Sequence, residues 1–142
     1  MDYNKSPISL REGHAFIDGV EVMDGIVCRI NFTPETWSGK QIGERSNSTR
    51  WLGYSISVTI TRRRSTNFLK DAIQQYLDTG ATPEFTVQGI MDDENSDYYE
   101  EFGSDTVTAV GCVITSEIPL TALDSGGDVV EDTITLSAKT IV

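Results

Sequence analysis

Residues 52–62 read Leu52-Gly-Tyr-Ser-Ile-Ser-Val-Thr-Ile-Thr-Arg62, and this stretch decides the fold class. Its side chains alternate between large apolar groups and small hydroxyl groups. Successive residues of a β-strand point to opposite faces, so the alternation predicts a half-buried strand. One face carries Leu52, Tyr54, Ile56, Val58 and Ile60, and the other carries Ser55, Ser57, Thr59 and Thr61.

Similar segments lie on both sides of this strand. Residues 26–33 alternate in the same way, and residues 84–91, 106–120 and 129–141 contain further runs typical of strands. Residues 14–22 predict a short hairpin, because Asp18-Gly19 is a preferred two-residue turn between antiparallel strands. Polar segments separate these runs, so the chain is predicted to be mainly β.

A single helix is predicted at residues 66–78. Its apolar side chains recur at helical spacing, and Ser65, Thr66 or Asn67 can cap its first turn. Gly80 suits the left-handed position after the helix, and Pro83 prevents its continuation. The apolar stripe consists of Leu69, Ala72, Ile73, Tyr76 and Leu77. Long alternating strands with one helix predict an antiparallel β-sandwich or barrel-like fold with one flanking α-helix.

The chain of 142 residues suits a single domain spanning residues 1–142. Residues 1–13 are interpreted as a polar N-terminal arm. Residues 34–51 are rich in Gly, Ser, Asn and Thr, and they predict an extended loop. Loops of such length are usually functional or disordered, so this one is a candidate for contact with another subunit.

The sequence also indicates the cellular compartment in which the protein folds. No apolar run approaches the ~20 residues of a membrane span, and the N-terminus lacks the apolar core of a signal peptide. We therefore expect a protein that folds in the cytosol without membrane insertion. Under reducing conditions Cys28 and Cys112 are expected to be free, buried thiols, although a disulfide between them stays an alternative.

The net charge of −11 is unevenly distributed along the chain. Residues 1–70 hold 10 basic and 7 acidic side chains, whereas residues 71–142 hold 1 basic and 15 acidic side chains. An acidic surface favours solubility. Unlike surfaces on identical subunits would also attract each other head to tail, and such contacts build rings or open stacks.

The outer faces of the predicted strands are rich in Ser and Thr, where an ordinary solvated sheet carries more Lys and Glu. The high β-propensity of Thr explains part of this composition. The alternative is that these faces meet other subunits or line a channel.

No residue pattern indicates catalysis or a cofactor. His14, the one histidine, has no recognisable catalytic partner, and the cysteines fit no zinc spacing. Phosphate-binding glycine patterns are absent. The segment 92–105 is predicted to be a loop with 7 acidic and no basic residues, but it lacks the glycine of a calcium-binding EF-hand loop. We therefore expect a protein that is not an enzyme. The alternative is an acidic β-sandwich that uses residues 92–105 to bind calcium or a basic partner.

Three motifs, in order, resemble the PBSX-type phage tail-tube proteins. The first runs from Ile8-Ser9 through Glu12-Gly13 to Asp18-Gly19-Val-Glu21. The second is Ile42-Gly43-Glu44-Arg45, followed by hydroxyl residues up to Gly53. The third is the segment from Pro83-Glu-Phe85 through Gln88-Gly-Ile-Met91 to Asp92-Asp93. Together they cover nearly the whole chain.

The resemblance implies a subunit of the inner tube of a contractile tail or an R-type bacteriocin. It implies hexameric rings that stack into a hollow tube, assembly in a bacterial cytoplasm, and a place in a virion tail or a released phage-like particle. Its partners would be further copies of itself, a sheath, baseplate and terminator proteins, and DNA if DNA passes through the lumen. The candidate assembly residues are Trp37, Lys40, Arg45 and Arg50 in the predicted loop, and Arg62, Arg63 and Arg64 before the helix.

Overall fold

The computed structural model describes residues 13–21, 25–64, 68–121, 123–127 and 129–142. Residues 1–12 of the predicted arm 1–13 and the candidate helix caps at residues 65–67 lie outside this part of the chain. The described elements are β1 (Gly13–Ile17), β2 (Val20–Glu21), β3 (Gly25–Gly39), β4 (Ser48–Arg63), α1 (Phe68–Thr79), β5 (Phe85–Met91), α2 (Asp97–Phe102), β6 (Asp105–Ile114), β7 (Glu131–Ala138) and β8 (Thr140–Ile141).

The longest feature is the antiparallel hairpin of β3 and β4. Its register pairs Cys28 with Ile60 near the base and Trp37 with Arg50 near the tip. The prediction of a loop over residues 34–51 is therefore wrong at both ends, because residues 34–39 and 48–51 are paired strand and only residues 40–47 form the loop. Backbone hydrogen bonding along the hairpin outweighs the turn-forming composition of this stretch.

The predicted Asp-Gly hairpin is present. Ile17 pairs with Val20, which leaves Asp18 and Gly19 as a two-residue turn. Both turn residues have positive φ, at 52° and 80°, as this kind of turn requires. The Asp18 carboxylate also accepts a hydrogen bond of 2.8 Å from the backbone N–H of Thr86, so the turn is fastened to the start of β5.

The strands form one antiparallel path in the order β2–β1–β5–β6–β7–β4–β3, with β8 also paired to β6. The path folds over so that the β3–β4–β7 part packs against the β1–β5–β6 part. At this contact a Cβ placed on Gly89 of β5 would lie 3.8 Å from the Ile30 side chain of β3. The buried core comprises Val58, Ile60, Leu69, Val87, Ala109, Cys112, Ile134 and Leu136. The predicted antiparallel β fold with a flanking helix is confirmed.

Helix α1 agrees closely with the predicted helix. It spans Phe68–Thr79, buries Leu69 and Ala72, and is followed by Gly80, which has φ of 74°. The N–H of Gly80 donates to the carbonyl of Tyr76 at 2.7 Å, which closes the last turn. Within the described residues, no helix has the length and apolar character needed to cross a membrane.

Two predicted boundaries need correction. The acidic segment 92–105 is not a plain loop, because it contains the short helix α2. Ser96 caps this helix by accepting a hydrogen bond from the N–H of Tyr99, and Gly103 ends it. The strand, or pair of strands, predicted over residues 106–120 stops at Ile114, where the N–H groups of Thr115 and Ser116 both donate to the carbonyl of Thr135 and the chain bends at Ser116.

Candidate assembly surfaces

The outer half of the β3–β4 hairpin carries an aromatic cluster made of Phe32, Trp51 and Tyr54. The Phe32 ring centre lies 5.8 Å from that of Trp51 and 5.4 Å from that of Tyr54. Phe32 pairs in register with Ile56, which is buried, so the cluster lies on the same face of the hairpin as the core but beyond the strands that cover the core. The three side chains are 45–64% exposed. The cluster is therefore an uncovered apolar extension of the core.

A β-bulge lies beside this cluster. The register passes from Gly53 to Trp51 and skips Leu52, which is exposed. The strict alternation predicted for residues 52–62 holds from Ile56 onwards, where buried and outer residues alternate along the strand. A bulge changes strand twist, so the outer half of the hairpin is directed differently from its base.

The end of the hairpin is basic. Lys40, Arg45 and Arg50 are all exposed, and none forms an ion pair within the described part of the chain. Trp37 pairs in register with Arg50 and covers Gly39, whose added Cβ would lie 2.6 Å from the indole ring. The structure therefore brings these four predicted assembly residues together at one end of the hairpin. We call Lys40, Arg45 and Arg50 the basic tip.

Strand β3 is an edge strand. Across the described residues it pairs with β4 alone, so one side of its 15 residues presents unpaired backbone groups. Such an edge is a template for pairing with another chain unless it is covered.

The three arginines at the end of β4 have different surroundings. Arg62 is 3% exposed and lies 3.9 Å from the carboxylate of Asp132, which is itself 1% exposed. The expectation that Arg62 meets a neighbouring subunit is therefore wrong, because its side chain is enclosed by its own chain.

Arg64 is also engaged within the subunit. It donates two hydrogen bonds of 2.8 and 2.9 Å to Asp132, and two more to the carbonyls of Pro119 and Leu120. The hydrogen bonds to Asp132 raise the pKa of the guanidinium above its ordinary value. Arg64 thus fastens the irregular segment after β6 to the start of β7. It is a less suitable assembly residue than predicted, since its donors are used internally.

Arg63 points to the opposite face. It lies 3.8 Å from Glu131, and both side chains are more than half exposed. The same face carries the register pairs Thr61–Thr133, Thr59–Thr135 and Ser57–Ser137, and the two hydroxyls of the first pair are 3.0 Å apart. The hydroxyl-rich face predicted from the sequence is therefore a continuous surface across β4 and β7.

Residues 92–105, which we call the acidic segment, form a turn and the helix α2. Asp93 accepts a hydrogen bond from the N–H of Asn95, while Glu94, Glu100 and Glu101 are exposed. Phe102, at the end of α2, is 63% exposed among these carboxylates. Within the described residues, no group of three or more His, Cys, Asp and Glu side chains is arranged to hold a metal ion.

Neither cysteine forms a disulfide, which confirms the prediction of free thiols. Cys112 is buried in the core, and the half-buried Cys28 packs against this core. Burial raises the pKa of both thiols. The predicted strand-edge residue His14 is exposed on β1, in register with Ile90 of β5.

Three solved structures show the same fold at low sequence identity. A chain of the anti-feeding prophage baseplate matches with a TM-score of 0.65 and 14% identity, over 96% of this chain and 95% of that one. A chain of the sheath–tube complex of an extracellular contractile injection system, PVC, matches with a TM-score of 0.68 and 13% identity, over 96% of this chain and 90% of that one. A chain of a native gene transfer agent particle matches with a TM-score of 0.58 and 17% identity, over 95% of this chain and 97% of that one.

No curated protein matches the chain in sequence. The family model described as phage tail tube protein, however, matches residues 3–137, which is nearly the whole chain. This match agrees with the resemblance found in the sequence motifs and with the fold of the three structures. The chain belongs to the phage tail tube protein family, and it is a structural tube subunit.

Proposed function

We propose that this subunit assembles, without catalysing a reaction, into stacked hexameric rings that form the inner tube of a contractile phage-like tail. The observation that carries the proposal is the outer edge of β3, which no other described strand covers along its 15 residues. Pairing of this edge with a strand of an adjacent copy would satisfy its backbone groups. Repeated around a ring, the same contact closes and leaves no free edge.

The assemblies that contain the structurally similar chains support this proposed assembly and its proposed partners. They come from a sheath–tube complex, a sheath and tube terminator complex, and a baseplate treated with sixfold symmetry. For this chain we accordingly propose a sheath, a terminator and a baseplate as partners, with assembly in the bacterial cytoplasm before release of the particle.

We further propose that the hydroxyl-rich face of β4 and β7 faces the lumen of the tube. Short Ser and Thr side chains would leave the channel open, whereas long charged side chains would narrow it. If DNA passes through the tube, the negative charge of the subunit would repel the phosphates and limit adhesion.

The experiment is electron microscopy of the purified subunit at rising concentration, with and without its co-expressed baseplate and sheath. We expect rings or hollow tubes with sixfold symmetry, and a sheath surrounding the tubes when it is present. Dispersed monomers under all of these conditions would contradict the proposed assembly. Tubes that never recruit the sheath would contradict only the proposal that the tube belongs to a contractile tail.

A further inference from the structure

We propose that the outer half of the β3–β4 hairpin docks onto the acidic segment of a second copy of this chain. The inference rests on the proposed tube function and names the two surfaces that meet. The hairpin surface comprises the aromatic cluster of Phe32, Trp51 and Tyr54 together with the basic tip.

The first argument is that the hairpin surface is built for contact but has no covering group in the described part of the chain. Three aromatic side chains lie together on the core face, yet each is at least 45% exposed. Exposed apolar groups that are clustered, not scattered, mark interaction sites. Aromatic and arginine side chains are also the types enriched at the centre of protein interfaces.

The second argument is charge complementarity, which selects the occupant. Lys40, Arg45 and Arg50 form no ion pair within the described residues, and they belong to a protein with a net charge of −11. The acidic segment contains 7 acidic and no basic residues. It also presents Phe102 beside exposed Glu101. The acidic segment thus combines an exposed aromatic ring with negative charge, and the hairpin surface combines exposed aromatic rings with positive charge. A second copy of this chain therefore offers a surface of complementary charge and similar apolar character.

The third argument is that the two surfaces differ in kind. A contact between unlike patches of identical chains is heterologous, and its repetition gives closed rings or open stacks. A tube needs contacts of this type, whereas a twofold contact between like patches would stop at a dimer.

The test uses reversed charges in two separate variants. The first variant carries Arg45→Glu and Arg50→Glu, and the second carries Glu94→Lys and Glu101→Lys. A control with Asp78→Lys and Glu117→Lys makes the same charge change as the second variant at exposed positions elsewhere. The concentration at which assemblies form is measured by sedimentation, at low salt and at 1 M salt.

We expect each interface variant alone to need roughly tenfold more protein to assemble than the wild type, and the control to assemble normally. An equal mixture of the two variants should assemble again, because each basic surface then meets an acidic one in alternation. At 1 M salt the wild type and the variants should assemble at more similar protein concentrations, since salt screens exposed charges.

The outcomes separate this contact from the proposed function. If the wild type assembles and the variants assemble equally well, or if the mixture fails to recover, the hairpin does not dock onto the acidic segment. An acidic surface of another protein, such as a sheath, would then remain the occupant. If the wild type itself stays monomeric at every concentration, with and without its co-expressed baseplate and sheath, the tube function and this contact are both contradicted.

Discussion

At the scale of single residues, burial decides which of two adjacent carboxylates matters for stability. Asp132 and Glu131 are neighbours in β7 and both lie near arginines. Asp132 is enclosed with Arg62, whereas Glu131 and Arg63 are exposed to water. Water screens the exposed pair, but it cannot compensate a buried cation whose partner has been removed.

We therefore predict that Asp132→Asn lowers the free energy of unfolding by about 3–5 kcal/mol, because the buried carboxylate that accepts two hydrogen bonds from Arg64 and lies 3.9 Å from the buried Arg62 loses its charge. The matched control Glu131→Gln should lower it by less than about 1 kcal/mol. Urea denaturation followed by circular dichroism measures both values. Equal losses in the two variants would show that the buried cluster has no special role in stability.

The two thiols give a prediction about pH. Burial raises the pKa of Cys28 and Cys112 in the folded subunit, so the unfolded chain ionises first, at about 8.5. The stabilisation from the protonated thiols is present in full below that pH and is lost as pH rises through the folded pKa. The melting temperature of the wild type should therefore fall more steeply between pH 8 and pH 10 than that of Cys28→Ala/Cys112→Ala.

Thiol labelling is an independent measurement of the same burial. Folded protein at pH 8 should react with a thiol reagent at least about tenfold more slowly than protein in denaturant, because only the accessible thiolate reacts. Fast labelling of both cysteines in the folded subunit would contradict the buried placement of Cys112.

At the scale of elements, periodicity predicted the regular interior of the fold, but not the ends of its strands. The alternation in residues 56–61 and the helical stripe from Leu69 to Leu77 depend on local packing, which the sequence records directly. The outer hairpin was missed because residues 34–51 are rich in Gly, Ser, Asn and Thr, and the strand form of residues 34–39 and 48–51 depends on a partner strand. Helix α2 has six residues, which is too short for a periodic signal, although Ser96 and Gly103 mark its ends.

The site could be predicted only in part, for the same reason. Composition brought Trp37, Lys40, Arg45 and Arg50 into one candidate surface, and the structure places them at one end of the hairpin. It could not separate Arg62 from Arg63, since alternate faces of β4 are distinguished only by what packs on them. Nor did it identify the cluster of Phe32, Trp51 and Tyr54, because contact between these rings depends on the register of two strands.

A further prediction concerns Gly111 in a β-bulge of β6, where Phe85 and Val87 of β5 pair with Cys112 and Ala109. Gly111 has φ of 70°, at the point where pairing of β6 passes from β8 to β7. Ala at this position would be strained, so Gly111→Ala should lower the free energy of unfolding by about 1–3 kcal/mol. An added Cβ would also lie 2.9 Å from the flexible Lys139 side chain, which can move aside.

Gly126→Ala is the matched control, because Gly126 lacks a positive φ and its added Cβ would make only an ordinary contact at 3.6 Å. Its effect should stay within about 0.5 kcal/mol. Thermal denaturation compares the two variants, and an equally mild effect at Gly111 would show that the bulge tolerates a side chain.

At the scale of the whole molecule, the subunit separates the parts that fold it from the parts that we propose assemble it. The core lies between the two halves of the folded sheet, and Arg62 and Asp132 are buried within the same subunit. The aromatic cluster, the basic tip and the acidic segment lie outside that core. This separation implies that assembly can be removed without unfolding the subunit.

The last prediction tests that separation by shortening the hairpin. Gly39 and Ser48 are the final register pair, so residues 40–47 can be replaced by Asn-Gly, a preferred two-residue hairpin turn. All eight removed residues are exposed and none belongs to the core, so the melting temperature of the monomer should change by no more than a few degrees. Tube formation should be lost, since Lys40 and Arg45 are removed together.

A control that keeps the full loop but carries Ser46→Ala should assemble normally. Normal tubes from the shortened chain would show that the hairpin end takes no part in assembly. A shortened chain that fails to fold would show instead that the tip stabilises the subunit.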